Sequence, residues 1–238
     1  MTELKSSDQN FIKTLITNLP EKVKEFVLPD KKNDKKTSDL IHLAKQNNVE
    51  VKFSSSKKLH ATYEPAQAKD INFLEKLLDK KNNSLILILD HVMDPQNLGS
   101  ILRTSLAAEV DAVVVSKNRA CHLTDTVRKV SKGASEIIPF VIVNNIKYLT
   151  KHLKNINFKI VGCEASAEKK YYDFDYKVPV AIIMGSEGYG IKLNLKKEID
   201  EMLKIPMSEK IESLNVSNAC SVIPVSYTHL TLPTNVAV

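Results

Sequence analysis

Three short segments of the chain combine amide, glycine and charged residues in patterns that could bind a ligand. Residues 94–103 (DPQNLGSILR) carry an asparagine and an arginine, and residues 184–190 (MGSEGYG) hold three glycines. The third segment is discontinuous, because residues 205–207 (IPM) are followed by residues 213–219 (SLNVSNA). A guanidinium group binds phosphate or carboxylate through two parallel hydrogen bonds, and backbone N–H groups of a glycine-rich turn also hold anions. The chemistry that these segments predict is recognition of an anionic ligand.

Arginine and glycine are scarce in this sequence and occur in the same part of it. All six glycines and all three arginines (Arg103, Arg119 and Arg128) lie between positions 99 and 190, whereas lysines are spread over the whole chain. Glycine is needed where φ is positive or the backbone approaches another group closely, and arginine where a planar, permanently charged fork is needed. An apolar run at 178–183 leads into the glycine-rich turn, and α/β proteins bind ligands where such strands end. We therefore predict a functional site in the second half.

Other familiar site types do not fit the spacing. The glycine-rich turn lies too late in the chain for a dinucleotide-binding fingerprint, and it lacks the Lys-Ser/Thr pair of a phosphate-binding loop. Cys121, Cys163 and Cys220 are scattered, which predicts neither a disulfide framework nor a metal site. Each of the three segments alone would also fit ordinary turn chemistry.

The elements that must position these segments follow from the hydrophobic pattern of the second half. Solidly apolar runs alternate with helical stretches, which predicts repeated βα units and a parallel sheet covered on both faces. The expected strands are residues 85–89, 112–115, 137–143, 158–161, 180–184 and 202–205, and the expected helices are residues 98–108, 125–131, 146–153 and 193–199. We expect Asn97 to cap the first of these helices, with Arg103 on its second turn, and Asn215 or Ser217 to cap a later helix.

Residues 1–69 are expected to form a small α/β domain, and residues 70–83 a linker or connecting helix. The lysine-rich run at 31–36 is expected to be a solvated loop, with RNA contact as the alternative. The pattern predicts two helices and two strands in this first domain, at residues 10–16 and 37–45 and at residues 23–28 and 49–53.

Composition narrows the class of protein. A formal net charge of +6 gives a moderate bias toward polyanionic partners, and 43% hydrophobic residues allow a substantial core. No apolar run approaches the roughly 20 residues of a membrane-spanning helix. The first residues lack the apolar stretch of a signal peptide, so we expect a cytoplasmic protein with no membrane partner.

Taken together, the three segments resemble the three motifs of the SpoU (TrmH-type) RNA ribose 2′-O-methyltransferases of the SPOUT superfamily. The resemblance covers about residues 84–222 and rests on the order and spacing of DPQNLGSILRTS, IIMGSEGYGI and IPM…ESLNVSNA. It implies an α/β fold in which a trefoil-knotted, parallel-sheet methyltransferase domain at 84–223 follows a small α/β substrate-binding domain. Residues 1–69 resemble, more loosely, the ribosomal-protein-like RNA-binding domain of rRNA-modifying members.

The resemblance also implies a cofactor and a set of site residues. S-adenosyl-L-methionine would be held in the knot, chiefly by backbone groups of the second and third segments, and no metal is expected. The implied cofactor-binding residues are Gly185, Ile205, Met207, Leu214 and Ser217. The implied catalytic residues are Asn97, Arg103, Glu187 and Asn215.

Roles for these residues follow from the chemistry of methyl transfer to a hydroxyl group. An unperturbed guanidinium is a poor base because its pKa lies above ~12. We therefore expect Arg103 to clamp a phosphate and stabilise the alkoxide, with base action as the alternative. Asn97 would orient the ribose or Arg103, and Asn215 with Ser217 would order the cofactor loop. Glu187 would hold the glycine-rich loop in shape or bind an arginine of the partner. The alternative is that Glu187 acts as a general base.

The implied substrate is RNA, and the implied assembly is a homodimer. The first domain favours rRNA over tRNA, with a 23S-type guanosine as the expected target. A tRNA methyltransferase and a catalytically silent RNA-binding assembly protein remain as alternatives.

The end of the chain departs from the family pattern. Relatives continue the last helix as an apolar stretch, whereas here Pro224 would interrupt it and residues 225–238 (VSYTHLTLPTNVAV) show no apolar helical face. We expect residues 224–238 to be an atypical, non-native tail that resembles adapter read-through, with a divergent natural terminus as the alternative. This tail is expected to contribute no site residue.

Overall fold

The computed structural model describes residues 3–30, 35–55, 58–81, 83–186, 188–208 and 210–231. Its first part forms a sheet with two helices packed against it. The elements are β1 (Leu4–Ser6), α1 (Gln9–Asn18), a 3₁₀ turn (Pro20–Lys22), β2 (Val23–Pro29), α2 (Lys35–Gln46), β3 (Val51–Ser54) and β4 (His60–Tyr63). The strand order is β1-β4-β2-β3, in which β2 and β3 run parallel and the other neighbours antiparallel. The strand expected at residues 49–53 corresponds to β3, which lies at one edge of this sheet.

The rest of the described chain builds a larger, fully parallel sheet. Its elements are α3 (Ile71–Leu78), β5 (Leu85–Leu89), α4 (Pro95–Ala107), β6 (Ala112–Ser116), α5 (Asp125–Val130), α6 (Ala134–Ile137), β7 (Phe140–Val143), α7 (Ile146–Asn155), β8 (Lys159–Cys163), β9 (Lys169–Lys170), a 3₁₀ turn (Tyr171–Asp173), β10 (Val180–Met184), α8 (Leu193–Lys196), β11 (Glu201–Lys204) and α9 (Val216–Thr231). The strand order is β7-β6-β5-β10-β8-β11-β9.

Both faces of this sheet are buried, as the solidly apolar strands predicted. Along β5, Leu85, Leu87 and Leu89 pack on one face with residues of α4, α5 and α9. Ile86 and Ile88 pack on the other face with residues of α3, α7 and α8. The predicted α/β fold with a doubly covered parallel sheet is confirmed.

Three features differ from the sequence expectations or extend them. The short strands β1 and β4 were not anticipated, and they complete the first sheet. Helix α3, placed in the expected linker, buries Leu74 and Leu78 against the large sheet, so it belongs to the second core. Residues 31–34 of the lysine run lie outside the described residues, and α2 begins directly after them at Lys35.

Helix α9 runs through Pro224, which corrects the expectation that this proline interrupts the helix. Proline lacks the N–H that would donate to the carbonyl of Cys220, a loss of about 3 kcal/mol in a helix interior. Burial offsets this cost here, because Ile223 is fully buried, Pro224 is buried, and Val225 packs against the main core. Residues 232–238 of the expected tail lie outside the described residues.

One of the three arginines is structural. Arg128 on α5 is buried and donates to the buried Glu136 carboxylate at 2.5 Å and to the carbonyl of Ala66 at 2.8 Å. The second Glu136 oxygen accepts the backbone N–H of Ala66 at 2.7 Å. The segment between the two sheets is therefore clamped to the core of the larger sheet. Two further contacts lie beside this clamp, since Lys132 pairs with Asp8 and the backbone of Gly133 packs against Thr14.

Replacing Arg128 with alanine should lower the free energy of unfolding by about 3–5 kcal/mol, because Glu136 would be left buried without its charged partner. The matched control is Arg119→Ala, which removes an exposed arginine and should change stability by less than about 0.5 kcal/mol. Urea unfolding followed by circular dichroism measures both values. Equal stability of the two variants would contradict the structural role of Arg128.

Candidate active site

A cleft of about 440 Å³ opens at the carboxyl ends of the neighbouring strands β8, β10 and β11. Parallel strands place their carboxyl ends at one edge, so loops that are far apart in sequence meet there. The cleft is lined by Cys163–Ser166 after β8, by Met184–Ser186 and Gly188–Gly190 after β10, by Ile205, Met207 and Glu212–Leu214 after β11, and by Val216 and Ala219 of α9. It is the concave region into which the second and third sequence segments converge.

Four of the five predicted cofactor-binding residues line this cleft. They are Gly185, Ile205, Met207 and Leu214. Ser217 does not line it, although its neighbour Val216 does. Ser217 is instead buried against Asn215, to which it donates from its backbone N–H at 2.8 Å and from its hydroxyl at 2.6 Å.

The glycine-rich turn is folded back tightly on itself. Gly190 donates to the carbonyl of Ser186 at 3.0 Å, and Gly188 and Gly190 have φ values of +83° and +62°. At Gly185, an added Cβ would lie 2.1 Å from the carbonyl carbon of Gly190. The backbone of the turn therefore occupies the position that a side chain at residue 185 would need. Glycine at this position allows the turn to close beside the cleft.

The predicted catalytic residues Asn97 and Asn215 are brought together across 118 positions of sequence. Asn215 donates through Nδ2 to Oδ1 of Asn97 at 3.1 Å. Its own Oδ1 accepts from Ser217, so Asn215 caps α9 and the side-chain orientation of both amides is fixed. Thr104 and Ser221, whose hydroxyl oxygens lie 3.3 Å apart, add a second polar contact between α4 and α9.

Asn97 does not cap α4, which corrects the sequence expectation. The cap is Asp94, whose carboxylate accepts the backbone N–H of Gln96 at 3.0 Å, and Pro95 occupies the first helical position. Proline is favoured there because its fixed φ suits a helix and its missing N–H would have had no helical partner. Asn97 lies three residues after the cap, within the first turn of the helix, and its buried side chain is turned toward Asn215.

Arg103 lies on the exposed side of α4, while the other sides of the helix are packed. Gly99 on α4 is so close to α5 that an added Cβ would lie 2.6 Å from Cβ of Val130. The side chain of Arg103 is exposed and does not line the cleft. Glu187 lies outside the described residues, so its predicted role stays a prediction.

The cysteine thiols are poor nucleophiles in this fold. Burial raises the pKa of the Cys163 thiol, which lines the cleft, from 9.0 to about 12. Burial also raises the pKa of Cys121 and that of Cys220. Because only the thiolate attacks an electrophile, these residues are expected to stay out of the reaction.

In the folded protein, Cys163 should react with Ellman's reagent at pH 8 about a thousandfold more slowly than an ordinary thiol, since the thiolate fraction falls tenfold for each unit by which the pKa rises. The rate should rise with pH up to about 12. Denaturation in guanidinium should release all three thiols at once. A fast-reacting thiol that disappears in Cys163→Ser would contradict this assignment.

Sequence reasoning missed the contribution of the loop after β8. Glu164, Ala165 and Ser166 line the cleft because β8 is the direct neighbour of β10 in the sheet. Glu164 also forms an ion pair with Lys196 at 2.5 Å. The apolar run before Cys163 did predict a strand, but the pairing of β8 with β10 was needed to place the loop after it at the cleft.

No helix in the described part of the chain is long and apolar enough to cross a membrane. Nor do the described residues contain a cluster of three or more His, Cys, Asp and Glu side chains arranged to hold a metal ion.

Comparison with known proteins identifies the family. Residues 84–224, more than half of the chain, match the SpoU rRNA methylase family. The chain belongs to that family. The match begins just before β5 and ends at Pro224, where the family pattern was expected to end.

Several relatives in this family resemble the chain over most of its length. The chain is 35% identical over 223 residues to the 23S rRNA (guanosine-2′-O-)-methyltransferase RlmB of Pseudomonas syringae pv. tomato, covering 89% of each protein. It is 31% identical over 223 residues to RlmB of Escherichia coli K12, covering 89% of this chain and 92% of that protein. Its fold matches the SpoU methyltransferase AviRb from Streptomyces viridochromogenes, solved with AdoMet, at a TM-score of 0.73 and 19% identity, covering 95% of this chain and 90% of that one.

Proposed function

We propose that this SpoU-family protein transfers a methyl group from S-adenosylmethionine to the ribose 2′-hydroxyl of a guanosine in 23S rRNA. The observation that carries the proposal is the hydrogen bond between Asn97 and Asn215, which joins the first and third motifs on α4 and α9. Val216, next to Asn215, lines the cleft formed by the second and third motifs. The match to RlmB over 89% of the chain supports the choice of 23S rRNA and of guanosine.

The cleft fits S-adenosylmethionine by size and by chemistry. Its volume of about 440 Å³ is within the range of small-molecule sites. Apolar side chains of Met184, Ile205 and Leu214 provide walls for an adenine ring. The carboxylate of Glu212 favours a ligand that carries positive charge, whereas that of Glu164 is already paired with Lys196. When bound, this cofactor supplies an electrophilic methyl group on a positively charged sulfur atom.

The protein's part in the reaction is positioning and charge stabilisation. A ribose hydroxyl becomes nucleophilic only as it loses its proton, which passes to solvent water, so the site must stabilise negative charge on that oxygen. Arg103 supplies a permanent positive charge and an exposed fork of N–H donors that can hold a phosphate and the developing alkoxide. Asn97, held by Asn215, supplies a fixed amide to orient the ribose. Holding the reactants in the reactive geometry accounts for much of the expected rate.

Four broader features belong to the same proposal. The polypeptide around the cleft forms the trefoil knot of the family, and two copies associate as a homodimer that completes the site around the exposed Arg103. The first domain, fixed by the Arg128–Glu136 clamp, binds RNA, and the enzyme works in the cytoplasm. The +6 net charge supports a polyanionic substrate.

A transfer assay with tritiated S-adenosylmethionine tests the substrate class. Unmodified 23S rRNA, 16S rRNA and tRNA, all transcribed in vitro, are offered separately to the full-length protein. We expect label in 23S rRNA. Label in tRNA alone would favour the tRNA enzyme, and no label in any RNA with intact cofactor binding would favour a silent RNA-binding protein.

A further inference from the structure

A second concave surface lies along the same carboxyl edge of the large sheet, outside the cofactor cleft. It consists of two adjoining hollows, of about 220 Å³ and about 710 Å³, that share Asn144 and Asn145 at the end of β7. The first hollow lies above β5, β6 and the start of α8, and the second lies between β6, β7 and the start of α3. We call these two hollows together the carboxyl-edge groove.

The groove is rich in cationic side chains. Its described lining contains Lys69, Lys117, Arg119, Lys147 and Lys192. Four of them are exposed, and Lys147 is half-buried and forms an ion pair with Glu198 at 3.4 Å. Such a concentration of positive charge favours a polyanion.

The two carboxylates in the described lining are already engaged by the protein. Asp90 is buried, accepts from Nδ1 of His91 at 2.5 Å and accepts the backbone N–H of Lys192 at 3.1 Å. Asp70 caps α3 by accepting the backbone N–H of Phe73 at 2.9 Å. Neither carboxylate forms an ion pair with a lysine or arginine of the described lining, and the five cationic side chains outnumber the two carboxylates.

An aromatic ring lies among these charges. Tyr148, on the first turn of α7, lines the groove and has 68% of its surface exposed. Amide side chains of Asn118 and Asn194 also line it. A basic groove with an exposed ring and amide groups is the surface that single-stranded nucleic acid requires, because the bases stack on the ring while cations follow the backbone.

The groove is connected to the candidate active site by two loop contacts. The loop that carries Arg119 is tied to the loop before α4, since Cys121 donates to the carbonyl of Val92 at 2.9 Å. Lys192 follows the glycine-rich turn by two residues and binds Asp90 through its backbone. His91 and Arg119 both have a positive φ, of 64° and 55°, a conformation that costs about 1–2 kcal/mol per residue and is kept where the surrounding structure requires it.

We infer that the carboxyl-edge groove binds the single-stranded RNA that flanks the methylated nucleotide, with phosphates on Lys117, Arg119 and Lys192 and a base on Tyr148. This inference rests on the proposed function for the identity of the RNA. The target nucleotide lies at the cofactor cleft, and the neighbouring strand crosses the sheet edge into the groove.

The test is the binding of a fluorescein-labelled 20-nucleotide oligo(U) RNA to the full-length protein, followed by anisotropy at several salt concentrations. The double variant Lys117→Ala/Arg119→Ala should bind at least about tenfold more weakly, because two charge-assisted contacts are lost. The slope of log affinity against log salt should decrease in magnitude by about 1.4, since each phosphate contact to a single strand contributes about 0.7. The control double variant Lys80→Ala/Lys159→Ala removes two exposed lysines at the opposite edge of the sheet and should bind like the wild type.

Three further measurements sharpen the test. Tyr148→Ala should weaken binding while Tyr148→Phe keeps it, because stacking needs the ring and not the hydroxyl group. Affinity for S-adenosylhomocysteine, measured by calorimetry, should be the same in all these variants. In the methyl-transfer assay, the groove double variant should raise KM for RNA with little change in kcat.

Each contrary outcome overturns the inference. Unchanged binding in the groove variant would show that the groove is not used, and an equal loss in the control variant would show attraction by net charge alone. Displacement of the oligonucleotide by inorganic phosphate at an equal phosphate concentration would indicate a small-anion site. If the wild type transfers no methyl group to RNA, the proposed function fails, but the oligonucleotide measurement still decides the groove.

Discussion

Replacing Arg103 with alanine should reduce methyl transfer to 23S rRNA by at least ~100-fold, the usual loss when one key electrostatic donor is removed from an active site. Arg103 is exposed on α4 and does not line the cofactor cleft. We therefore expect unchanged affinity for S-adenosylhomocysteine and an unchanged melting temperature. Single-turnover transfer of a tritiated methyl group, with calorimetry on the same protein samples, measures both sides of this prediction.

Arg103→Lys is the matched control for charge. It keeps the positive charge but cannot form the two parallel hydrogen bonds of a guanidinium, so it should also be poorly active. Full activity of the lysine variant would reduce the role of Arg103 to simple charge. Activity of the alanine variant within a few-fold of the wild type would remove Arg103 from the mechanism altogether.

Replacing Gly185 with valine should weaken S-adenosylhomocysteine binding by about 10–100-fold, which corresponds to the 1–3 kcal/mol typical of overpacking. The new Cβ would lie 2.1 Å from the carbonyl carbon of Gly190 and 2.4 Å from the backbone nitrogen of Ile191. Because these are backbone atoms, relief requires the glycine-rich turn to move, and the turn forms one wall of the cleft. Isothermal calorimetry is the measurement.

Gly188→Ala is the control variant, because it adds a side chain to the same turn without the backbone clash that Gly185→Val creates. An added Cβ at Gly188 meets no heavy atom within 4 Å, so the variant carries only the strain of a positive φ, about 1–2 kcal/mol. It should lose less affinity than Gly185→Val. A thermal melt shows whether each variant is folded, and unchanged affinity in folded Gly185→Val would place the cofactor outside this cleft.

The elements that sequence predicted best are those whose residues face one kind of environment throughout. All five residues of β5 are buried on both faces, and its predicted and observed bounds coincide at Leu85 and Leu89. Strand β1 was missed because it has only three residues, and β4 because its sequence HATY contains no Val, Ile, Leu or Phe. The course of α9 through Pro224 was also missed, because the burial of Ile223 and the packing of Val225 become apparent only in the fold.

In the site, the sequence motifs predicted individual residues, whereas contacts between distant residues became apparent only in the fold. The motif resemblance predicted Gly185, Ile205, Met207 and Leu214, and all four line one cleft, although their contact with the cofactor stays a prediction. The pairing of Asn97 with Asn215 depends on how α4 packs against α9, which no local pattern specifies. Arginine scarcity was used to place a site in the second half of the chain, where Arg103 received a catalytic role, whereas Arg128 in the same region stabilises the segment between the two sheets.

The most direct test of the central claim is to identify the methylated nucleoside itself. Unmodified 23S rRNA is incubated with the full-length protein and S-adenosylmethionine, digested to nucleosides and analysed by mass spectrometry, with the position mapped by resistance of the 2′-O-methylated linkage to alkaline cleavage. The account predicts 2′-O-methylguanosine at a single position, absent when Arg103→Ala replaces the wild type. A methyl group on a base, or on the ribose of another nucleoside, would contradict the proposed reaction.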